Sequence, residues 1–137
     1  MIVKVINRVR CVLARNDHYL LVLHNNRLPG NYGKWGLPGG VLDEGEEPSI
    51  GLRRELHEEF QLAVENVALL GDWEYRNEIH RVFGCEISGR IEFYDEDEIL
   101  DIDWLTYDGV VGLVEDGKLH TGFELEAIEK FRNLSSR

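Results

Sequence analysis

Glu55, Glu58 and Glu59 sit three and four residues apart in the stretch Pro48 to Phe60, whose apolar positions Ile50, Leu52, Leu56 and Phe60 repeat at helical spacing. Each helical residue advances about 100°, so the three carboxylates fall within an arc of roughly 100° and point into one small volume. Like charges at these spacings cost an isolated helix ~0.2–0.5 kcal/mol per pair. A bound divalent cation reverses that sign. Magnesium takes oxygen ligands in near-octahedral geometry and shares them with waters and substrate phosphates, so glutamates on a rigid helix suit it. Gly51 lies between Glu55 and Glu58 in angle, one turn nearer the helix start. The missing side chain there fits a site that admits a bulky diphosphate. Arg54, four residues before Glu58, reaches a carboxylate or a phosphate. The pair Gly39 and Gly40 lets main chain approach a ligand closely. A glutamate-rich helix is ordinarily a solvated face, but here glycine, proline and arginine spacings converge with the carboxylates.

The elements that must position these groups follow from periodicity. Ile2 to Ala14 alternates with period two and predicts a half-buried strand, Asn16 and Asp17 supply a turn, and His18 to His24 predicts the returning strand of a hairpin. Asn25 to Lys34 is turn-forming and predicts a long surface loop of the kind that sets specificity. Trp35 to Val41 is a short apolar piece leading into the acidic turn Asp43 to Glu47. Pro48 then suits the first turn of a helix that runs to about Phe60. Val64 to Tyr75, Ile79 to Ile87 and Arg90 to Phe93 predict strands in a meander, Ile99 to Leu105 a further strand, and Phe123 to Phe131 a helix. The expected class is α/β of the α+β type, a mixed β-sheet sandwiched between helices.

At 137 residues the chain is expected to form a single domain over residues 1–137. Its 43% hydrophobic and 30% charged residues separate it from disordered chains. A net charge of -11 repels nucleic acid backbones, which excludes a general DNA or RNA binder and requires a cation or a local basic cluster for any anionic substrate. Cys11 and Cys85 lack metal-type spacing and are expected to be core thiols. No signal-peptide order and no run of roughly 18 apolar residues is present, so the cytoplasm is the expected compartment and no membrane partner is expected. A homodimer is left open.

Gly40, five residues, Glu46, seven residues, then Arg54-Glu55-Leu56-His57-Glu58-Glu59 and a closing Leu62 resembles the signature box of the Nudix hydrolases, the MutT-like family. The lead-in Trp35-Gly36-Leu37-Pro38-Gly39 is similar to that of many members. The resemblance implies magnesium- or manganese-assisted attack of water on phosphorus in a nucleoside diphosphate linked to another group, such as a nucleoside triphosphate. It implies Glu55, Glu58, Glu59 and the Gly39 carbonyl as metal ligands, and Glu46 and Arg54 as groups that hold those ligands in place. Glu98, ahead of Trp104, is implied as a further ligand or as the general base, a role left open between Glu98 and Glu55. A solvated acidic turn over Asp95 to Glu98 remains the even alternative.

The chain departs from the family at Gln61, where members carry the glycine that ends the helix. An altered cap is expected, since a left-handed conformation costs a non-glycine residue roughly 1 kcal/mol. The same departure motivates a second reading, a nucleotide-binding sensor that keeps the fold without cutting. Nucleotide sugars, ADP-ribose and dinucleoside polyphosphates are alternative substrates. Trp35, Lys34, Arg10 and Phe83 are candidate substrate contacts, although Trp35 and Phe83, like Tyr32 and Tyr75, read more plainly as core. Arg8, Arg10, Arg27, Lys34 and Arg81 are within reach of phosphate, yet surface charge explains each of them. His57 is expected to be exposed.

Overall fold

The computed structural model describes residues 4–25 and 31–135, so Ile2, Val3 and Arg27 lie outside the described residues. The elements are β1 (Arg8–Arg15), β2 (His18–His24), β3 (Trp35–Gly36), β4 (Gly39–Val41), α1 (Pro48–Phe60), β5 (Ala68–Tyr75), β6 (Glu78–Glu86), β7 (Ile99–Leu105), α2 (Tyr107–Glu115) and α3 (Glu124–Ser135).

The sheet is mixed and β1 lies at its centre. β1 runs parallel to β6 along its length, from Arg8 opposite His80 to Ala14 opposite Glu86. Its partnership with β2 is confined to Ala14–Tyr19 and Arg15–His18, beside the Asn16-Asp17 turn. Farther on the two strands part. β4 takes the vacated edge of β1, with Val9 opposite Gly40, while β3 pairs with β2, with Leu23 opposite Trp35. β7 covers the other edge of β2, and β5 closes on β6 through a two-residue turn of Arg76 and Asn77, both at positive φ.

Alternation on β1 sends side chains to two cores. Val9, Cys11 and Leu13 join Leu20, Val22, Phe83, Cys85 and Ile99 beneath Leu52, Leu56 and Phe60 of α1. Val12 and Ala14 join Tyr19, Leu21 and Val82 beneath Val110 of α2 and Ala127, Ile128 and Phe131 of α3. Both faces are therefore helix-covered, as the pattern predicts. Each fully buried side chain of α1 contributes ~1.5–3 kcal/mol, which outweighs the few tenths lost to each glutamate pair. Packing thus holds α1 in place despite the repulsion along its acidic edge. Cys11 and Cys85 are buried free thiols whose sulfurs are 3.9 Å apart. Among the described residues no helix is long and apolar enough to cross a membrane.

Several expectations need correction. The first strand begins at Arg8, residues 4–7 are not part of it, and Val5 is exposed. Arg90 to Phe93 is not a strand: the segment crosses the α1 side of the sheet, where Ile91 packs on the core, and the strands do not form a simple meander because β6 pairs in parallel with β1. Val64 precedes β5 in a loop pinned by Arg53, whose guanidinium donates to the Val64 and Glu65 carbonyls at 3.3 and 2.8 Å. Helix α2 was not foreseen. Gly109 and Gly112 weaken its propensity and only Val110 is buried, so it depends on the Thr106 hydroxyl that accepts from the Gly109 N–H at 3.1 Å.

Candidate active site

Helix α1 starts where the side chain of Glu47 accepts from the Ile50 N–H at 3.1 Å, with Pro48 in its first turn. It ends at Gln61, which adopts the left-handed conformation (φ 55, ψ 30) and donates its N–H to the His57 carbonyl at 2.9 Å. Leu62 N–H reaches back to the Leu56 carbonyl at 3.3 Å. The expected altered cap is therefore not found: Gln61 bears the strained conformation itself, and the two hydrogen bonds of the turn hold it there.

Before α1, Gly39 lies at φ 143, and a Cβ there would stand 2.0 Å from the Val9 carbonyl oxygen. Only glycine lets β4 pair this closely with β1. At Gly40 an added Cβ would meet the Glu55 carboxylate at 2.5 Å. Strand β4 and helix α1 are thus brought together with Glu55 lying over the Gly40 backbone. Gly51 has another reason than the one expected. Its Cβ would strike Leu42 at 2.2 Å and Glu46 at 2.9 Å, so it admits the acidic turn, not a ligand.

Arg54 organises the polar edge. Its Nε and Nη2 donate to the two Glu46 oxygens at 2.8 and 2.9 Å, and Nη2 also donates to the Val41 carbonyl at 3.1 Å. Its Nη1 donates to Glu55 at 3.1 Å and Glu58 at 3.2 Å. One forked cation therefore ties turn, strand and helix together and aims two carboxylates. The Arg54 hydrogen bonds hold Glu46 well below the usual carboxylate range, at about 2.

Glu59 is different. It is 4% exposed, and neither carboxylate oxygen has a hydrogen-bond partner. Burial, then the neighbouring Glu55 charge, pushes its pKa well above the usual range; burial also raises Glu55. An unmatched buried acceptor costs ~1–3 kcal/mol, so the fold holds Glu59 at a penalty that a bound cation would offset. Glu98 enters from the loop before β7, where Glu98 N–H donates to the Asp95 carbonyl at 3.1 Å and Asp95 N–H to the Glu59 carbonyl at 2.8 Å. These contacts tie the acidic loop to the end of α1.

Glu55, Glu58, Glu59, Glu98, Gly39 and Gly40 all line one open cavity of about 650 Å³, together with Arg8, Arg10, His24 and His120. Among the described residues no three His, Cys, Asp or Glu side chains stand in a finished metal-holding array. The donor set nevertheless fits a hard divalent cation, because among these residues the Glu59 oxygens have no hydrogen-bond partner and lie beside Glu55, whose carboxylate accepts only from Arg54.

Of the candidate substrate contacts, only Arg10 reaches this cavity. Phe83 is 6% exposed within the α1-side core, and Trp35 packs into the other core while its backbone bonds to Lys118 and His120. Lys34 is half-buried beside it, away from the cavity wall. Arg81 is held by Asp72 at 2.8 and 2.9 Å, Tyr32 is exposed, and His57 is exposed as expected. His24, His80 and His120 were missed. They come from three distant segments, so no spacing could have announced them.

Residues 5–123 match the family model described as the NUDIX domain. A MutT-like protein of Streptomyces ambofaciens is 37% identical over 101 residues, covering 72% of this chain and 62% of that protein. The nucleoside triphosphatase NudI of an Enterobacter species is 27% identical over 111 residues, covering 69% of this chain and 77% of that one. The crystal structure of a MutT NUDIX hydrolase from Burkholderia pseudomallei superposes with a TM-score of 0.63 at 27% identity, covering 74% of this chain and 84% of that chain. The chain thus spans less than two thirds of the Streptomyces protein.

Proposed function

This chain belongs to the NUDIX family, and from that membership we propose that it is a magnesium- or manganese-dependent pyrophosphohydrolase that cuts a diphosphate bond in a nucleotide. The observation that carries the reading is Glu59, a buried carboxylate left without any donor and backed by Glu55 at the wall of a cavity large enough for a nucleotide diphosphate.

In this reading Glu55, Glu58 and Glu59 hold the cation, with the Gly39 carbonyl and Glu98 completing the protein's share. A bound divalent ion neutralises the diphosphate and lowers the pKa of water at the site. Arg54 keeps Glu55 and Glu58 aimed, and Glu46 keeps Arg54 in place. Glu55 and Glu98 are the two candidates to take the proton from the attacking water. The water oxygen bonds to phosphorus, the bridging P–O bond breaks, and its electron pair leaves with the departing phosphate. Arg10, His24 and His120, which line the same cavity, face the substrate.

The proposal extends to a single domain that acts in the cytoplasm on a small nucleotide, since a net charge of -11 disfavours nucleic acid backbones. Gln61 gives little support to a sensor reading, because the helix end keeps its turn and the carboxylates stay together. The test is a panel of nucleoside triphosphates, nucleotide sugars, ADP-ribose and dinucleoside polyphosphates, run with magnesium or manganese in oxygen-18 water. The expected result is label in one phosphate product of at least one substrate. Tight nucleotide binding without release of any phosphate product at high protein concentration would favour the sensor.

A further inference from the structure

A second, smaller cavity opens beside the first. It measures about 100 Å³ and is lined by Arg8, Arg10, Asn31, Tyr75, Arg76, Glu78, His80 and His120. Arg8, Arg10 and His120 also line the larger cavity, so the two adjoin across these side chains.

Its charge is one-sided. Three guanidinium groups meet one carboxylate, and that carboxylate, Glu78, is taken by Arg8 at 2.9 Å. Arg76 reaches Asn31 Oδ1 at 3.4 Å and lies over the Tyr75 ring. Arg10 is 5% exposed, yet among the described residues no carboxylate comes within ion-pairing distance of it. Its contacts are long and neutral: Nε to His80 Nδ1 and Nη1 to the Leu37 carbonyl, each 3.5 Å. A buried cation is ordinarily paired, because desolvation without a partner is costly.

The surrounding rings supply polar edges. His120 packs edge-on to Tyr75 at 5.4 Å between ring centres, and His80 does so at 6.0 Å. Of the buried acids whose charge reaches Arg10, Glu59 lines the larger cavity and forms no ion pair with it, and Glu124 is occupied by the Thr121 and Gly122 N–H groups at 2.9 and 2.8 Å. A volume of 100 Å³ is that of about three water molecules in the liquid. It suits a phosphoryl group and excludes a nucleobase with its sugar.

We propose that this chamber is a phosphoryl-binding subsite, in which Arg10, with Arg76 and the His80 and His120 rings, receives a phosphoryl group on the substrate beyond the bond that is cut. The inference rests on the pyrophosphohydrolase reading for its link to catalysis, and it narrows the substrate class to nucleotides with a further phosphoryl group next to the diphosphate. That group is either the terminal phosphate of a longer polyphosphate chain or a phosphomonoester on an attached sugar.

Inorganic phosphate is the first probe. In the full chain kept metal-free with a chelator, phosphate is expected to shift the imidazole proton resonances of His80 and His120 saturably. Arg10→Gln should abolish the shift, and Arg76→Asn should weaken binding about tenfold, the size of one charge-assisted hydrogen bond. Asparagine tolerates the φ of 50 at position 76, so this variant tests the subsite even where Arg10→Gln does not fold. Resonances that stay still, or that move alike in wild type and Arg76→Asn, overturn the proposal. This readout needs neither metal nor turnover, so its failure leaves the hydrolase reading intact.

With metal present, two substrate pairs locate the phosphoryl group: a nucleoside triphosphate against its diphosphate, and a nucleoside diphosphate sugar with and without a phosphomonoester on the sugar. Wild type should prefer the more phosphorylated member of one pair in kcat/KM, and Arg76→Asn should reduce that preference about tenfold. Preferences unchanged by Arg76→Asn in both pairs would overturn it.

Discussion

At the scale of single residues, the site is a balance between carboxylates that Arg54 satisfies and one that nothing satisfies. Glu46, Glu55 and Glu58 each accept from Arg54, whereas Glu59 accepts from no group. Two kinds of defect follow. Arg54→Gln leaves the ligand carboxylates present but unaimed, and kcat/KM should fall roughly 10–100-fold, as when a group that orients metal ligands is removed. Glu59→Gln removes a proposed ligand and should cost more than Arg54→Gln. In chelator Glu59→Gln should also melt higher than wild type, because a buried unpaired carboxylate is replaced by a neutral amide. Kinetics and thermal unfolding on the same preparations check both, and a Glu59→Gln protein with wild-type turnover would remove this residue from the site. The glutamate set was readable in the sequence because helical spacing alone places the three on one edge. The isolation of Glu59 was not, since it depends on how deeply α1 sinks against β1. Nor were the three histidines, which converge from β2, β6 and the segment before α3, whereas Arg10 was named as a candidate contact without any sign of its burial.

At the scale of elements, the contact between β4 and α1 sets where Glu55 lies. Gly40→Ala puts a methyl against the end of the Glu55 side chain, which supplies the three atoms nearest to it, so the protein should fold with near-normal stability and lose turnover through a displaced carboxylate. A Gly40→Ala protein with unchanged kcat would mean that Glu55 can be moved without consequence. At the other end of α1, the strain of Gln61 is worth ~1 kcal/mol, and the greater freedom of glycine in the unfolded chain returns ~0.5 kcal/mol of that. Gln61→Gly should therefore gain about 0.5 kcal/mol in urea unfolding, with turnover unchanged. A loss of stability would show that the glutamine side chain makes a compensating contact. The span of α1, Pro48 to Phe60, was legible because proline opens it and the apolar stripe runs as far as Phe60. Arg90 to Phe93 and α2 were misread or missed for the opposite reason. An apolar alternation does not create a neighbouring strand to pair with, and a glycine-containing helix capped by Thr106 carries a weak local signal.

At the scale of the whole molecule, a split sheet brings the acidic edge of α1 into one cavity with arginine and histidine side chains. Burial, followed by the charge of Arg10, holds His24 and His80 at about 3 and His120 at about 4, below the usual histidine value near 6.5. Below about pH 6.5 the unfolded chain takes up a proton at each ring while the folded chain does not, so stability falls as pH drops from that point towards the folded values. Glu55 and Glu59, whose pKa values rise on folding, pull the other way above the usual glutamate value, so the effect is clearest in Glu59→Gln. Its melting temperature should decline from pH 7 to pH 5, and a flat profile would mean that the rings are already charged in the fold. The mixed sheet between helices could be read from element order, but the parting of β1 and β2 that creates the cleft could not, because register is set by partners distant in sequence. The central claim, that these carboxylates hold a divalent ion, is tested most directly by manganese binding followed by electron paramagnetic resonance. Wild type should bind manganese saturably and folded Glu59→Gln should bind it far more weakly. Equal binding by both proteins, or none by wild type with or without a nucleotide, would contradict the account.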